Sequence, residues 1–443
     1  MDKFIINGGF PLKGEIAIAG AKNVALKTIV ASLLTDEELV IKNVPRIGDV
    51  FLMLEVISSL GRETEFTDHE VKIKPNGHRC PVVPLETGAR LRTSSMVLGP
   101  LLARYGEGKI PNPGGCRIGT RPIDRHIEGL QQMGASIKYH SEDGYFYART
   151  KKLSGVTYKF SKNSHTGTET LILAAVLAKG ETVLQNAAAE VEIDDLICLL
   201  NQMGACIRRT GNREIVIQGV EKLHGTEYTI MPDRNEEVTL ALAAAMTNGS
   251  LVLTNSRRQY LTKFLEFYAK AGGKIREIDE NTTEYSRLDR LGPTEVVTAP
   301  YPGFMTDWQA PWAVFMTQAA GLSIIHETVF ESRFAYVAEL AKMGAKIGFF
   351  DPQVTDPEKF YNFNWKDRVP GNHQGIKITG PTKLHNAILN INDLRAGATL
   401  VLAALTADGE SYIHGVEQID RGYETIEKKL KSVGAKIVRL KEE

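Results

Sequence analysis

Apolar and polar positions recur along this chain in two registers. One is a short amphipathic stretch that ends at a glycine and passes into alternating apolar residues. Its copies are Leu60-Gly61, Gln132-Met133-Gly134-Ala135-Ser136-Ile137, Gln202-Met203-Gly204-Ala205-Cys206-Ile207, Ala271-Gly272-Gly273-Lys274-Ile275, Lys342-Met343-Gly344-Ala345-Lys346-Ile347 and Ser432-Val433-Gly434-Ala435-Lys436-Ile437. Such a pattern predicts an outer helix, closed by a left-handed glycine cap and followed by a strand. Successive glycines lie 73, 70, 68, 72 and 90 residues apart, so equivalent units follow one another.

The second register is alanine-rich and apolar on nearly every side: Leu26–Thr35, Met96–Tyr105, Leu171–Lys179, Leu240–Asn248, Ala313–Ala320 and Leu400–Ala407. A helix without a polar face is buried all round. Each unit is therefore expected to hold one interior helix, one amphipathic outer helix and several strands, in an α/β fold. The long last step places an insertion of about 20 residues in the sixth unit. Its Asp-Pro, Val-Pro-Gly and Asn-His sequences locate it at about 349–374 as an irregular excursion.

At 443 residues the chain is too long for one core, so two or more domains are expected. Lys+Arg and Asp+Glu both number 53, which leaves no net positive charge to hold nucleic acid. Anion binding must come from local clusters, and the ligand is expected to be small. Cys80, Cys116, Cys198 and Cys206 show no CxxC pairing, so neither a zinc site nor a disulfide framework is expected. Residues 1–9 lack the apolar core of a signal peptide, and no run is long enough to span a membrane. The expectation is a cytoplasmic protein, monomeric or weakly self-associating.

Two features carry chemistry. The loop from Pro111 to His126 combines Pro113, Gly114 and Gly115 with a single thiol, Cys116. Proline and paired glycines keep this segment out of helix and sheet interiors. Arg117, Arg121 and Arg125 bring positive charge near the sulfur, which favours thiolate and a reactive cysteine over an inert buried one. The second feature is the set of residues leading into the interior helices: Gly20-Ala21-Lys22-Asn23, Arg90-Leu91-Arg92-Thr93-Ser94, Ser164-His165-Thr166-Gly167-Thr168, Asp233-Arg234-Asn235-Glu236, Thr306-Asp307-Trp308-Gln309 and Asp393-Leu394-Arg395-Ala396. Taken singly these are capping residues. Lysine and arginine oppose the positive end of a helix dipole, however, and make sense there when a multiply charged anion is bound.

With these residues in view, the chain resembles the enolpyruvyl transferase family, in its branch acting on UDP-N-acetylglucosamine. The resemblance covers nearly the whole chain. Its most specific parts are Gly20–Asn23, the Cys116 loop through Arg121-Pro122-Ile123-Asp124 and His126, Thr306-Asp307, Phe330-Glu331-Ser332-Arg333-Phe334, Asp393–Ala396 and Ile419-Asp420-Arg421-Gly422-Tyr423. It implies an inside-out α/β barrel: two domains, each of three βαβαββ repeats with buried parallel helices, and an active site in the inter-domain cleft. Residues 22–231 would form one domain and carry Cys116, and residues 1–21 with 232–443 the other.

The implied reaction moves the enolpyruvyl group of phosphoenolpyruvate to the 3′-hydroxyl of the sugar nucleotide and releases phosphate, without metal or organic cofactor. In this resemblance Cys116 matches the acid, which can also bond to the pyruvyl carbon, and Asp307 the base. Lys22, Asn23, Arg121, Arg395 and Arg421 match phosphoenolpyruvate contacts, with Lys22 and Arg421 among the catalytic groups. Arg92, Arg121, Pro122, Ile123, Asp124, Arg125, Lys162, Asn163, Ser164, His165, Asp307 and Val329 match contacts to the sugar nucleotide. The family's Ser-Val-Gly-Ala-Thr is Ser164-His165-Thr166-Gly167-Thr168 here, and its Ile-Glu-x-Gly is Asn235-Glu236-Glu237-Val238. Both differences concern the acceptor. They keep open a variant sugar nucleotide, shikimate 3-phosphate, or a sugar-nucleotide-binding paralogue without turnover.

Overall fold

The computed structural model describes residues 2–115, 118–391 and 393–441. The described residues of Met1–Ala19, Cys116–Arg121 and Pro232–Glu443 form one compact unit, and Gly20–Gly115 with Pro122–Met231 form the other. This differs from a division at 22–231 chiefly in residues 118–121. Their hydrogen bonds explain the difference: Ser332 N donates to Ile118 O (3.2 Å), and Thr120 donates to Glu331 Oε1 through its backbone N (2.6 Å) and its hydroxyl (2.9 Å).

Among the described residues the strands form six separate small sheets, three per unit, and no closed barrel. A recurrent plan runs through them. An edge strand pairs in parallel with its neighbour, and two antiparallel strands follow. In one, Lys13–Ala17 runs parallel to Ser250–Thr254, which pairs with Thr282–Arg287 and then Gly273–Asp279. In the sixth, Lys3–Asn7 occupies the antiparallel position between Glu410–His414 and Lys436–Leu440. The N-terminal strand thus completes the last repeat.

Six interior helices carry the alanine-rich sequence. Lys22–Ala31, Leu98–Tyr105 and His165–Ala175 belong to one unit, and Arg234–Met246, Thr306–Met316 and Leu394–Thr406 to the other. Every residue of Arg234–Met246 is buried, as a helix without a polar face requires. Several of the helices begin earlier than their apolar windows. Lys22, Asn23, His165, Asp307 and Arg395 consequently lie in first turns. The three helices of the 232–443 portion pack on one another, and Trp308 Nε1 donates to Asn235 Oδ1 (2.9 Å) between two of their first turns.

The strands lie outside these helices and alternate inward and outward residues; in Ser250–Thr254, Leu251 and Leu253 are buried. Outer helices end as anticipated, with Gly61, Gly134, Gly204, Gly272, Gly344 and Gly434 all at φ between +86° and +104°. The excursion after Lys346–Phe350 holds only a short helix, Pro357–Phe360, and a 3-10 turn, Trp365–Asp367. Tyr361 stacks on Trp365 (4.6 Å), and Asn362 N donates to Thr328 O (2.8 Å). Among the described residues no helix is long and apolar enough to cross a membrane.

Candidate active site

In the unit containing 232–443, Asp307 is the second residue of its helix, and Met305 holds the cap position. Its carboxylate therefore serves something other than capping. Arg333 Nη2 donates to Asp307 Oδ1 (2.7 Å), and Arg395 Nη2 lies 3.4 Å from Oδ2. Both arginine side chains are under one-tenth exposed, whereas Asp307 is 22% exposed, so two buried cations hold one accessible carboxylate. Burial works against the charge on Arg395, but Tyr423, Asp307 and Asp233 more than offset it and raise its pKa. Burial likewise opposes the Arg333 charge, and Asp307, Asp393 and Glu327 outweigh it.

Supporting bonds fix these groups. Asp393 caps its helix by accepting from Arg395 N and Ala396 N. Arg395 Nη1 donates to the Tyr423 hydroxyl (2.9 Å), which also meets Thr239 Oγ1 (2.8 Å). Buried Glu327 accepts from Thr306 Oγ1 (2.8 Å), Val329 N (2.7 Å) and Phe330 N (3.1 Å). Burial still raises the Glu327 carboxyl pKa. Arg121, at φ +44°, and Arg333 both lie over the Phe330 ring, at 5.6 and 5.3 Å. Arg121, Val329, Asp307 and Arg395 are thereby linked through Phe330, Arg333 and Glu327. Arg421 stands two residues before Tyr423, and its Nη1 donates to Gln418 Oε1 (3.3 Å).

The other unit gathers its own set. Lys22 opens its helix, and its Nζ pairs with buried Asp49 (2.7 Å), which answers the conflict with the dipole in part. Asn23 follows it, partly buried. Arg92 begins a 3-10 turn and donates to Pro113 O (3.4 Å). Pro122 and Ile123 lead into the helix Asp124–Gln132, where Asp124 Oδ1 accepts from Arg125 N (2.9 Å). Lys162 and Asn163 precede Ser164, whose hydroxyl caps the His165–Ala175 helix by accepting from Gly167 N (3.1 Å).

His126 is buried, its Nε2 3.0 Å from Thr166 Oγ1 in that first turn. Burial first, then the Arg92 and Arg125 charges, push its pKa down to about 3. Cys116 and Arg117 lie outside the described residues; Cys80, Cys198 and Cys206 are exposed thiols.

Sequence reading gave no role to Asp49, Arg333, Lys27 or Glu169. Lys27 and Glu169 were detectable in principle, because a charge inside a helix expected to be buried requires a partner. Arg333 stood within a quoted motif, yet nothing along the chain joined it to Asp307, 26 residues earlier.

The profile of the EPSP synthase family (3-phosphoshikimate 1-carboxyvinyltransferase) matches residues 6–430. The UDP-N-acetylglucosamine 1-carboxyvinyltransferase of Acidobacterium capsulatum is 43% identical over 444 residues, covering 99% of this chain and 96% of the relative. That of Acidiphilium cryptum is 43% identical over 443 residues and covers 100% of both chains. The chain belongs to the UDP-N-acetylglucosamine 1-carboxyvinyltransferase family. The architecture has solved counterparts. The enolpyruvyl transferase NikO from Streptomyces tendae superposes with a TM-score of 0.86 at 21% identity, covering 100% of this chain and 99% of NikO. An EPSP synthase from Acinetobacter baumannii gives 0.74 at 20% identity, covering 100% of both. At these identities the likeness is one of fold.

Proposed function

We propose that this carboxyvinyltransferase moves the enolpyruvyl group of phosphoenolpyruvate to the 3′-hydroxyl of UDP-N-acetylglucosamine and releases phosphate, the first committed step of peptidoglycan precursor synthesis. The observation that carries the reading is the Asp307 carboxylate, held by Arg333 and Arg395 in the first turn of an interior helix. A carboxylate so fixed and still accessible suits a base.

In the addition step Asp307 takes the hydroxyl proton, the sugar oxygen bonds to C2 of the enol, and the Cys116 thiol gives its proton to the methylene carbon. In the elimination step that methyl group returns a proton to the Cys116 thiolate, the double bond re-forms, and the C–O bond to phosphate breaks, the phosphate leaving with the proton that Asp307 took up. Lys22, Asn23, Arg121, Arg395 and Arg421 supply donors to the phosphate and carboxylate, where negative charge is greatest. Arg92, residues 122–125, residues 162–165 and Val329 serve the acceptor. Proton transfers and fixed cations account for every step, so neither metal nor organic cofactor enters. The cytoplasm is the proposed compartment.

Phosphate release tests this. Wild type should release phosphate from phosphoenolpyruvate only with UDP-N-acetylglucosamine present, and Cys116→Ala and Asp307→Ala should each lose about a hundredfold or more. No release with that acceptor, or turnover with shikimate 3-phosphate instead, would overturn the reading. Release unaffected by either substitution would overturn the assigned roles.

A further inference from the structure

In four of the repeats the strand after the outer helix turns straight back into its antiparallel partner. Arg62–Thr67 and Glu70–Pro75, Ser136–His140 and Tyr145–Arg149, Cys206–Gly211 and Glu214–Gln218, and Gly273–Asp279 and Thr282–Arg287 are joined by two to four residues. Lys346–Phe350 and Gly375–Gly380 pair in the same way, but residues 351–374 stand between them. The hairpin has no need of so many, since two residues would close it. Ordering a long segment costs conformational entropy, and loops of this length in compact units usually serve a function.

The excursion carries a small aromatic cluster of its own. Tyr361 and Phe363 are 1% and 7% exposed, yet both stand outside the main hydrophobic core of this unit. Phe363 lies 5.1 Å from the Tyr361 ring, and Arg368 lies 4.0 Å over Trp365, on which Tyr361 stacks. This cluster meets the end of the strand Gly321–His326. There the His326 ring stacks on Phe360 (5.3 Å), and its Nε2 is 3.0 Å from the Tyr361 hydroxyl.

Just beyond His326 the excursion grips the backbone of a turn. Asn362 N donates to Thr328 O (2.8 Å), while Thr328 is also tied to Thr298, through its N to Oγ1 (2.8 Å) and through its hydroxyl to O (2.5 Å). Where the excursion rejoins the sheet, Glu327 N donates to Gln374 O (2.8 Å) and Gln374 Nε2 to Glu331 O (3.1 Å). Residues on both sides of Val329 are therefore fixed from residues 351–374. These bonds go to main-chain atoms of the turn, so the excursion determines where its backbone runs.

We propose that the excursion is a buttress that positions Val329 for the acceptor, with Tyr361 and Asn362 as positioning residues. The inference rests on the reading above in which Val329 serves the sugar nucleotide. A contact made equally in the ground state and the transition state is felt in KM and leaves kcat alone. Phosphoenolpyruvate is held by other side chains, so its KM should not follow.

The experiment compares steady-state kinetics of the wild type, of Tyr361→Ala, and of a chain in which Asn-Gly replaces residues 351–373 and Gln374 is kept. The KM for UDP-N-acetylglucosamine should rise about tenfold in the shortened chain and roughly threefold in Tyr361→Ala. In both variants kcat and the KM for phosphoenolpyruvate should stay within about twofold of wild type. Hydrogen exchange at the Val329 and Phe330 amides should quicken in both, because their turn has lost its outer support. A segment that merely adds stability would lower the melting temperature and leave the acceptor KM where it was. An unchanged acceptor KM, a loss confined to kcat, or unaltered exchange at these two amides would each overturn the inference. Failure of both variants to fold would overturn it as well, by making the aromatic cluster part of the unit's core. Absence of turnover by the wild type would instead overturn the proposed function, and this inference with it.

Discussion

Because His126 is fully buried and feels the charges of Arg92 and Arg125, its ring remains neutral in the folded protein far below the pH at which an unfolded chain protonates it. Between pH 6.5 and about 3 the unfolded state therefore binds one more proton than the native state. Stability falls through that window as pH decreases, by about 1.4 kcal/mol per unit from this residue, and is unaffected by it above 7. Urea midpoints of wild type and His126→Gln should keep a constant separation above pH 7. Below pH 6 the wild type should lose stability more steeply, and parallel curves down to pH 4 would show that the imidazole is not held neutral. The type of residue was legible along the chain, since His126 closes the cysteine loop, but its environment was not. Arg92 lies 34 residues earlier and Thr166 40 residues later, and only folding brings their charge and hydroxyl to one ring. Asp307 illustrates the same limit. From the residue alone capping and catalysis stood about even, its sequence context favoured catalysis, and the two arginines on its oxygens, Arg333 and Arg395, come together with it only in the fold.

At the scale of elements, periodicity revealed most of what formed. Interior helices were legible because burial on all sides leaves no polar stripe, and outer helices because each needs a left-handed residue at its end. The partner of the described segment 118–121, just beyond the cysteine, was hidden. Thr120 bonds Glu331 twice, and Gly119, at φ +147°, lies so close that a Cβ would overlap the Glu331 carboxylate. Gly119→Ala should therefore undock residues 118–121 while leaving both cores untouched. Losing hydrogen bonds to a charged acceptor, worth roughly 1.5–3 kcal/mol each, predicts a fall in kcat/KM of about tenfold or more. The melting temperature should stay within about 2 °C, because no core contact changes. Unchanged kcat/KM would mean that docking of this segment on Glu331 plays no part in turnover.

For the molecule as a whole, the chain order and the repeat order are out of step. Lys3–Asn7 supplies the inner antiparallel strand of the last repeat, with Lys3 beside both His414 and Leu440. A polypeptide that began at Lys13 and ended with this strand would place the six repeats in simple succession. Closing a linker of a few residues from Leu440 to Lys3 spans only the gap between paired strands, and new ends fit in the exposed segment at residues 9–11, which leaves the strand Lys3–Asn7 at the C-terminal end. Such a permutant should fold, unfold cooperatively and keep its transferase activity, with a melting temperature within about 5 °C of wild type. Deleting residues 1–7 should do the opposite. It strips two strands of their shared partner and removes Phe4 and Ile6, both 0% exposed. The cost should exceed about 4 kcal/mol, large against the stability of an ordinary domain. An active, stable deletion variant beside an unfolded permutant would reverse the assignment, making the N-terminal strand an accessory and the order of the chain essential. The reverse result, an active permutant and an insoluble deletion, would show that the sixth repeat needs its strand and is indifferent to the end of the chain from which it comes.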